Sequence, residues 1–215
     1  MSIKEQVALV KETLLSYPNV KIVAAAKYIG IDQTKELIDA GIYELGENRT
    51  DALLEKYDAL KEHKIVWHFF GTLQTRKVRD IINKIDYLHS LDSLSLANEI
   101  NKRATKPLKC FVQVNISEEP NKSGIEAIKV KGFIKSLEKY PNIEVIGLMT
   151  IAKLTYDKEL LAGYFKSMKK LRDEIMELGL PYAPCTELSM GMSNDYLIAC
   201  EHGSTLVRLG RILLK

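Results

Sequence analysis

Short apolar runs and amphipathic stretches take turns along almost the whole chain. Val7, Val10 and Leu14 recur at helical spacing, so residues 3–15 read as a helix. The run 21–27, Lys-Ile-Val-Ala-Ala-Ala-Lys, is short and apolar between its two lysines, the pattern of a buried parallel strand. The alternation continues with predicted helices over 34–40, 49–57 and 76–82, predicted strands over 42–46, 65–70 and 87–91, and a helix capped by Ser93 that runs to Ala104. The second half repeats the scheme, with strands over 108–116, 145–150, 186–189 and 205–209 and helices over 127–139, 158–178 and 194–201. Gly41 and Gly203 stop helices, because glycine suits the left-handed position after a helix end. Leu161, Tyr164, Phe165, Met168, Leu171, Ile175 and Leu178 recur at helical spacing and read as a core stripe, not as a cofactor box.

Eight strands, each followed by a helix except the last, imply α/β architecture closed as a (β/α)₈ TIM-type barrel. The missing eighth helix leaves one strand uncovered, and the extra N-terminal helix is the element to cover it. A doubly wound open sheet is the alternative. No linker, repeat or composition break divides the sequence, so residues 1–215 are expected to form one domain.

Composition narrows the picture. The chain has 215 residues, 46% hydrophobic and 27% charged, enough for a full core. A net charge of +3 without a basic tract argues against nucleic acid. The three cysteines lack CxxC spacing and read as reduced thiols in a cytoplasmic protein. No signal peptide opens the chain and no apolar run reaches membrane-spanning length, so no membrane is expected as a partner. The four histidines form no HExxH or Cys/His cluster, so no metal site is expected.

Candidate chemistry collects where predicted strands end, because barrels build their active face there. Lys27 closes the first strand. A lysine there either reaches solvent or presents an amine to a carbonyl carbon, as Schiff-base chemistry requires. Residues 189–195, Ser-Met-Gly-Met-Ser-Asn-Asp, join a strand end to a helix start through a glycine turn. Such a turn offers free backbone amides to a phosphate; an ordinary helix cap is the other reading. Gly203-Ser204-Thr205 adds flexible backbone and two hydroxyls just before the last strand. Arg208 lies inside the apolar run 206–209, and a buried guanidinium needs a partner, either an internal carboxylate or an acceptor on a ligand. His68 reads as a satisfied core histidine, and Glu47 as a partner of first-turn amides.

Several segments carry a family resemblance: Ala25-Ala26-Lys27, Gly46-Glu47-Asn48, the run Trp67-His68-Phe69-Phe70-Gly71, His89-Ser90, Gln113-Val114-Asn115, Lys122-Ser123-Gly124, Gly147-Leu148-Met149-Thr150, Ser189-Met190-Gly191-Met192-Ser193, and Gly203-Ser204-Thr205 followed by Val207-Arg208 and Gly210. In this order they resemble the pyridoxal phosphate homeostasis protein family, also called the proline-synthase co-transcribed homologue family, which is similar to the barrel domain of alanine racemase. The resemblance spans nearly the whole chain. It departs at Thr72, where a histidine or lysine is frequent, and at Arg76, where asparagine is usual.

The resemblance implies that Lys27 carries pyridoxal 5′-phosphate (PLP) as an internal aldimine. It places Ser189, Gly191, Met192, Ser204 and Thr205 around the phosphate, Arg208 against the pyridine nitrogen and Asn48 near the ring hydroxyl. An arginine donates hydrogen bonds but no proton, which leaves the ring a poorer electron sink. Alanine racemase takes its second base from a further domain, and only five residues follow Gly210. The expected function is therefore PLP binding that maintains vitamin B6 homeostasis, with no established catalytic residue. Apo PLP-dependent enzymes are the expected recipients, and the assembly is expected to be a monomer or weak dimer. A small PLP-dependent amino-acid racemase is the alternative, and a plain phosphate-ligand barrel with a structural Lys27 a third reading.

Overall fold

The computed structural model describes residues 1–120 and 122–214; Asn121 and Lys215 lie outside the described residues. Among these, the strands are β1 (Lys21–Ala25), β2 (Glu44–Glu47), β3 (Val66–Phe69), β4 (Tyr87–Leu91), β5 (Leu108–Asn115), β6 (Ile125–Glu126), β7 (Ile143–Met149), β8 (Glu187–Ser189) and β9 (Leu206–Leu209). The α-helices are α1 (Ile3–Thr13), α2 (Ile31–Asp39), α3 (Thr50–Ala59), α4 (Val78–Ile81), α5 (Leu94–Arg103), α6 (Ala127–Lys135), α7 (Lys158–Met176) and α8 (Tyr196–Glu201).

Every strand pair is parallel, in the order β4-β3-β2-β1-β9-β8-β7-β5, and a β4–β5 pairing closes the ring. The expected closed barrel is thus the fold, and the open sheet is excluded. The sequence pattern missed β6, a two-residue strand on the outer end of β5. Two residues are too few to show a period. The helices predicted over 76–82 and 127–139 take in α4 and α6 together with most of the 3₁₀ turn Thr75–Lys77 and all of the 3₁₀ turn Ser136–Lys139 at their ends.

The helices lie where the apolar stripes placed them. Ser93 caps α5 by accepting the Leu96 amide, and Ser2 and Glu5 form a capping box at the start of α1. α1 lies between α2 and the C-terminal 3₁₀ turn. Its Lys11 donates to the carbonyls of Ala40 and Gly41, and Thr13 shares a 3.0 Å hydrogen bond with the Tyr196 hydroxyl of α8. It therefore covers the β1–β9 seam, the place left without an eighth helix.

Two cores result. The larger lies between barrel and helices. The smaller fills the barrel lumen with Val23, Phe111, Ile146, Met149 and Leu206, with Phe70 and Tyr87 packed against it. The lumen also holds polar side chains, among them His68, His89, Ser189 and Arg208, each buried. Gly46 makes room for them. A Cβ there would stand 2.0 Å from the Phe70 ring, so only glycine lets that ring lie against β2. No helix of the described residues is long and apolar enough to cross a membrane.

Candidate functional site

Strand order assembles one end of the barrel from the C-terminal ends of β2, β1, β9 and β8, which are consecutive neighbours. Lys27 follows β1, Asn48 follows β2, Arg208 lies near the end of β9, and Ser189 ends β8 and leads into Gly191 and Met192. The structure brings these six residues to one mouth.

Ser204 and Thr205 are not there. They precede β9, and the Thr205 carbonyl accepts from the amide of Lys21, the first residue of β1. Lys27 lies six residues further along the same strand direction, about 20 Å at the rise of an extended chain. Their hydroxyls are also engaged: Ser204 Oγ donates to the Met190 carbonyl at 2.7 Å, and Thr205 Oγ1 accepts the Leu188 amide at 2.8 Å. The engaged hydroxyls and the distance from Lys27 speak against the expected placement of both around the phosphate. They knit the start of β9 to β8, Ser204 through the Met190 carbonyl just after that strand's end. Chain direction was the signal available, because residues before a parallel strand lie at the other end from residues after it.

Lys27 is half-buried. Its Nζ has no hydrogen-bond or ion-pair partner among the described residues and lies 5.4 Å from the centre of the Tyr28 ring. Tyr28 itself has φ +74°, a left-handed conformation uncommon for a non-glycine residue, which turns the chain sharply after the lysine. Beneath the lysine, Lys56 of α3 donates to the Ala26 carbonyl at 2.9 Å and pairs with the buried Glu47. Glu47 also accepts the Asn48 amide at 3.3 Å. One buried cation therefore ties together the strand ends that carry Lys27 and Asn48.

Ser193 organises the other side. Its Oγ accepts, at 3.4 Å each, the amides of Gly210 and Ile212. The turn after β8 and the turn after β9 are thereby held together. The amides of Ser193, Asn194 and Arg211 have no acceptor among the described residues. The Met192 amide, counted from the sequence among the phosphate donors, is already taken by Asp195 Oδ1 at 2.6 Å. Burial pushes the Asp195 carboxyl up, against the opposing pull of that amide and of Arg208. Ser193, Gly210 and Arg211 were not singled out from the sequence as ligand contacts; the strand-end rule that selected Lys27 pointed to them as well.

Gly191 needs to be glycine. Its φ is +95°, and a Cβ would stand 2.7 Å from Ala199 Cβ and 2.9 Å from Tyr196 Cα of α8. Gly191→Ala is expected to destabilise the protein by about 1–3 kcal/mol, combining backbone strain with overpacking. The thermal midpoint should fall, and an unchanged midpoint would show a turn free to rearrange.

Arg208 is 5% exposed. Its Nη1 donates to Ser189 Oγ at 2.6 Å and to the Ser189 carbonyl at 2.8 Å, and its Nη2 donates to the Thr150 carbonyl at 2.8 Å. Neither partner left open by the sequence, a carboxylate or a ligand, makes these bonds; two main-chain carbonyls and a hydroxyl do. Burial brings its pKa down to about 10, so it remains a cation at neutral pH. Its Nε–H has no acceptor among the described residues. Since no buried side-chain nitrogen or oxygen there lacks a partner, that N–H meets accessible space.

The mouth thus offers an unpaired amine, a group of unpaired amides and a fixed cation with a donor to spare. Amides hold an anion, the amine meets a carbonyl carbon, and the guanidinium satisfies an aromatic nitrogen without protonating it.

Comparison with known proteins points the same way. Residues 2–215 match the family described as alanine racemase, N-terminal domain. A pyridoxal phosphate homeostasis protein from Aquifex aeolicus is 38% identical over 199 residues, which are 90% of this chain and 85% of the relative. The solved structure of PipY from Synechococcus elongatus with PLP bound superposes with a TM-score of 0.91 at 28% identity, covering 100% of both chains. Alanine racemase from Clostridium difficile shares the fold, with a TM-score of 0.81 at 20% identity over 99% of this chain and 56% of its own.

Proposed function

The chain belongs to the pyridoxal phosphate homeostasis protein family, within the alanine racemase N-terminal domain fold, and on that premise we propose that it binds PLP at the Lys27 mouth and serves vitamin B6 homeostasis. The observation that carries the proposal is convergence. Among the described residues an unpaired amine, unpaired amides and a spare arginine donor come from three neighbouring strands, β1, β9 and β8, to one end of the barrel.

These residues fit the cofactor's chemistry. Bound PLP supplies an aldehyde that an amine can capture and a ring that can stabilise negative charge. Lys27 offers the amine. The amides of Ser193, Asn194 and Arg211 offer donors to the phosphate, with Ser189 and Gly191 shaping the turn that presents them. Arg208, braced by Ser189 and Thr150, would offer its Nε–H to the pyridine nitrogen. Asn48, its amide held by Glu47, would serve the hydroxyl side of the ring.

The binding reading is favoured over racemase chemistry by the surroundings of Lys27. A guanidinium cannot protonate the ring nitrogen, which disfavours chemistry that needs a protonated ring, whereas racemases tolerate the arginine by using two opposed bases. No carboxylate, histidine or tyrosine hydrogen-bonds or ion-pairs with Lys27 among the described residues, and Tyr28 meets its Nζ through the ring, 5.4 Å to the centre, so no base is hydrogen-bonded to the amine. We accordingly propose a protein that stores PLP and passes it to apo-enzymes, in a cytoplasmic setting. The test is turnover of the PLP-loaded protein on L- and D-alanine and a panel of other amino acids. Racemisation is expected to stay below about 1 s⁻¹, the low end of ordinary enzymes. A faster rate would establish the racemase instead.

A further inference from the structure

A line of hydrogen bonds runs through the lumen from the Lys27 mouth towards the opposite one. It starts at Arg208, whose Nη1 donates to Ser189 Oγ at 2.6 Å. Ser189 Oγ lies 2.9 Å from His89 Nδ1, across the lumen on β4. His89 Nε2 lies 2.8 Å from His68 Nδ1, and His68 Nε2 lies 2.6 Å from Glu44 Oε2. Glu44 is the first residue of β2, beside the start of β3, and its side chain is 25% exposed. Arg208, Ser189, His89 and His68 are buried.

The two ends decide the direction of every bond between them. Arginine only donates and a carboxylate only accepts. Both histidines are kept neutral by burial, which holds their pKa values below the usual range; the proximity of His68 and Arg208 adds to the depression at His89, and Glu44 only partly offsets it at His68. A neutral His68 must then donate from Nε2 to Glu44, which leaves its Nδ1 to accept. His89 must donate from Nε2 to His68, which leaves its Nδ1 to accept from the Ser189 hydroxyl. Ser189 in turn offers its lone pairs to Arg208. With both rings neutral, only one arrangement satisfies all five groups.

The chain is also fixed sideways. Tyr87 stacks on His68 with centroids 4.6 Å apart and planes within 6°, Phe111 stacks on His89 at 4.3 Å, and Phe70 meets His89 edge-on at 6.2 Å. Rings on both imidazoles exclude water and oppose ring flips.

We infer that Glu44, His68 and His89 are positioning residues: through Ser189 they form a one-way relay that holds Arg208 ready for the ring nitrogen of bound PLP. The inference rests on the PLP-binding reading above. Glu44 acts from the far mouth by fixing both tautomers. Without an acceptor there, His68 gains by moving its proton to Nδ1, His89 must then donate from Nδ1, and the Ser189 hydroxyl loses its acceptor and its orientation.

The test is nitrogen-15 NMR of histidine-labelled protein, first without PLP. Wild type is expected to show His68 and His89 neutral and protonated on Nε2. Either ring protonated on Nδ1, or doubly protonated, would overturn the relay whatever the protein binds. Glu44→Leu is expected to move the proton of both rings to Nδ1 and to speed PLP release by about fivefold, the scale of one lost hydrogen bond. Glu44→Gln, whose side-chain oxygen still accepts from His68, is expected to restore both properties. Altered tautomers with unchanged PLP release would reduce the relay to a structural feature and overturn the positioning role. If Glu44→Leu does not fold, Glu44→Ala takes its place with the same expected tautomers and PLP release, and the wild-type tautomers still decide the relay. A wild type that binds no PLP would defeat the proposed function, and the spectrum of the ligand-free protein would still report separately on the chain of bonds.

Discussion

Lys27→Ala is expected to abolish the visible absorbance band that the protein acquires on incubation with PLP, while its circular dichroism stays native. The lysine is half-buried at a strand end and makes no hydrogen bond or ion pair among the described residues, so its removal opens no cavity in the core and strands no buried partner. The band requires a covalent link to an amine, and alanine offers none. Borohydride reduction of the wild type followed by peptide mass spectrometry should find the cofactor on the peptide containing Lys27. Persistence of the band in the mutant after dialysis, or an adduct on another lysine, would move the attachment point. A wild type that remains colourless with excess PLP would leave the third reading, a phosphate-ligand barrel.

Lys56→Met should cost stability on the scale of a broken buried ion pair, about 3–5 kcal/mol. Lys56 and Glu47 are both buried, and Lys56 also satisfies the Ala26 carbonyl. Removal of the lysine alone leaves an uncompensated carboxylate under the strand ends. For a chain of this size the thermal midpoint should drop by roughly 6–20 °C, at about 2–4 °C per kcal/mol. The double variant Lys56→Met/Glu47→Leu should regain most of that loss, because well-packed apolar replacements of a buried pair are often neutral. If the double variant is as unstable as the single one, the loss comes from packing and the Ala26 carbonyl, not from the orphaned charge. PLP retention should fall in the single variant as well, since the same lysine fixes the backbone beside Lys27 and Asn48.

The barrel was legible because its signals are local. A strand buried on both faces shows as a short apolar run, and a helix packed on a barrel shows as a stripe every three to four residues. β5 and α7 stand out for that reason; α7 is 19 residues long and buries Leu161, Phe165, Met168 and Ile175. Capping is local too, which is why Ser93 could be placed from three residues of sequence. Boundaries were less sharp. The strand predicted over 42–46 is Glu44–Glu47, and the helix predicted from 34 begins at Ile31, because Gly30 starts it without any side-chain cap.

The site was legible only in part. Lys27, Asn48, Ser189, Gly191, Met192 and Arg208 follow or end strands, and the structure gathers them at one mouth. Ser204 and Thr205 carry suitable side chains, but their hydroxyls are spent on the main chain at the end of β8. The Met192 amide is in place but spent on Asp195. Glu44 and His89 gave no sequence signal of a shared purpose, since they lie 45 residues apart and meet only through His68.

By itself, then, the sequence determined the strand and helix order, for which a closed parallel barrel was expected ahead of an open sheet, and the strand ends at which chemistry could collect, because hydrophobic period and turn residues act within a few neighbours along the chain. Only the tertiary structure decided which hydroxyls face which mouth, which amides remain free, and how Arg208 is braced across the lumen by Ser189, His89, His68 and Glu44. Those depend on contacts between residues far apart in sequence, such as His89 and Ser189, 100 positions apart, and hydrogen-bond direction is set by the donors and acceptors at the ends of such a chain, not by any one residue within it.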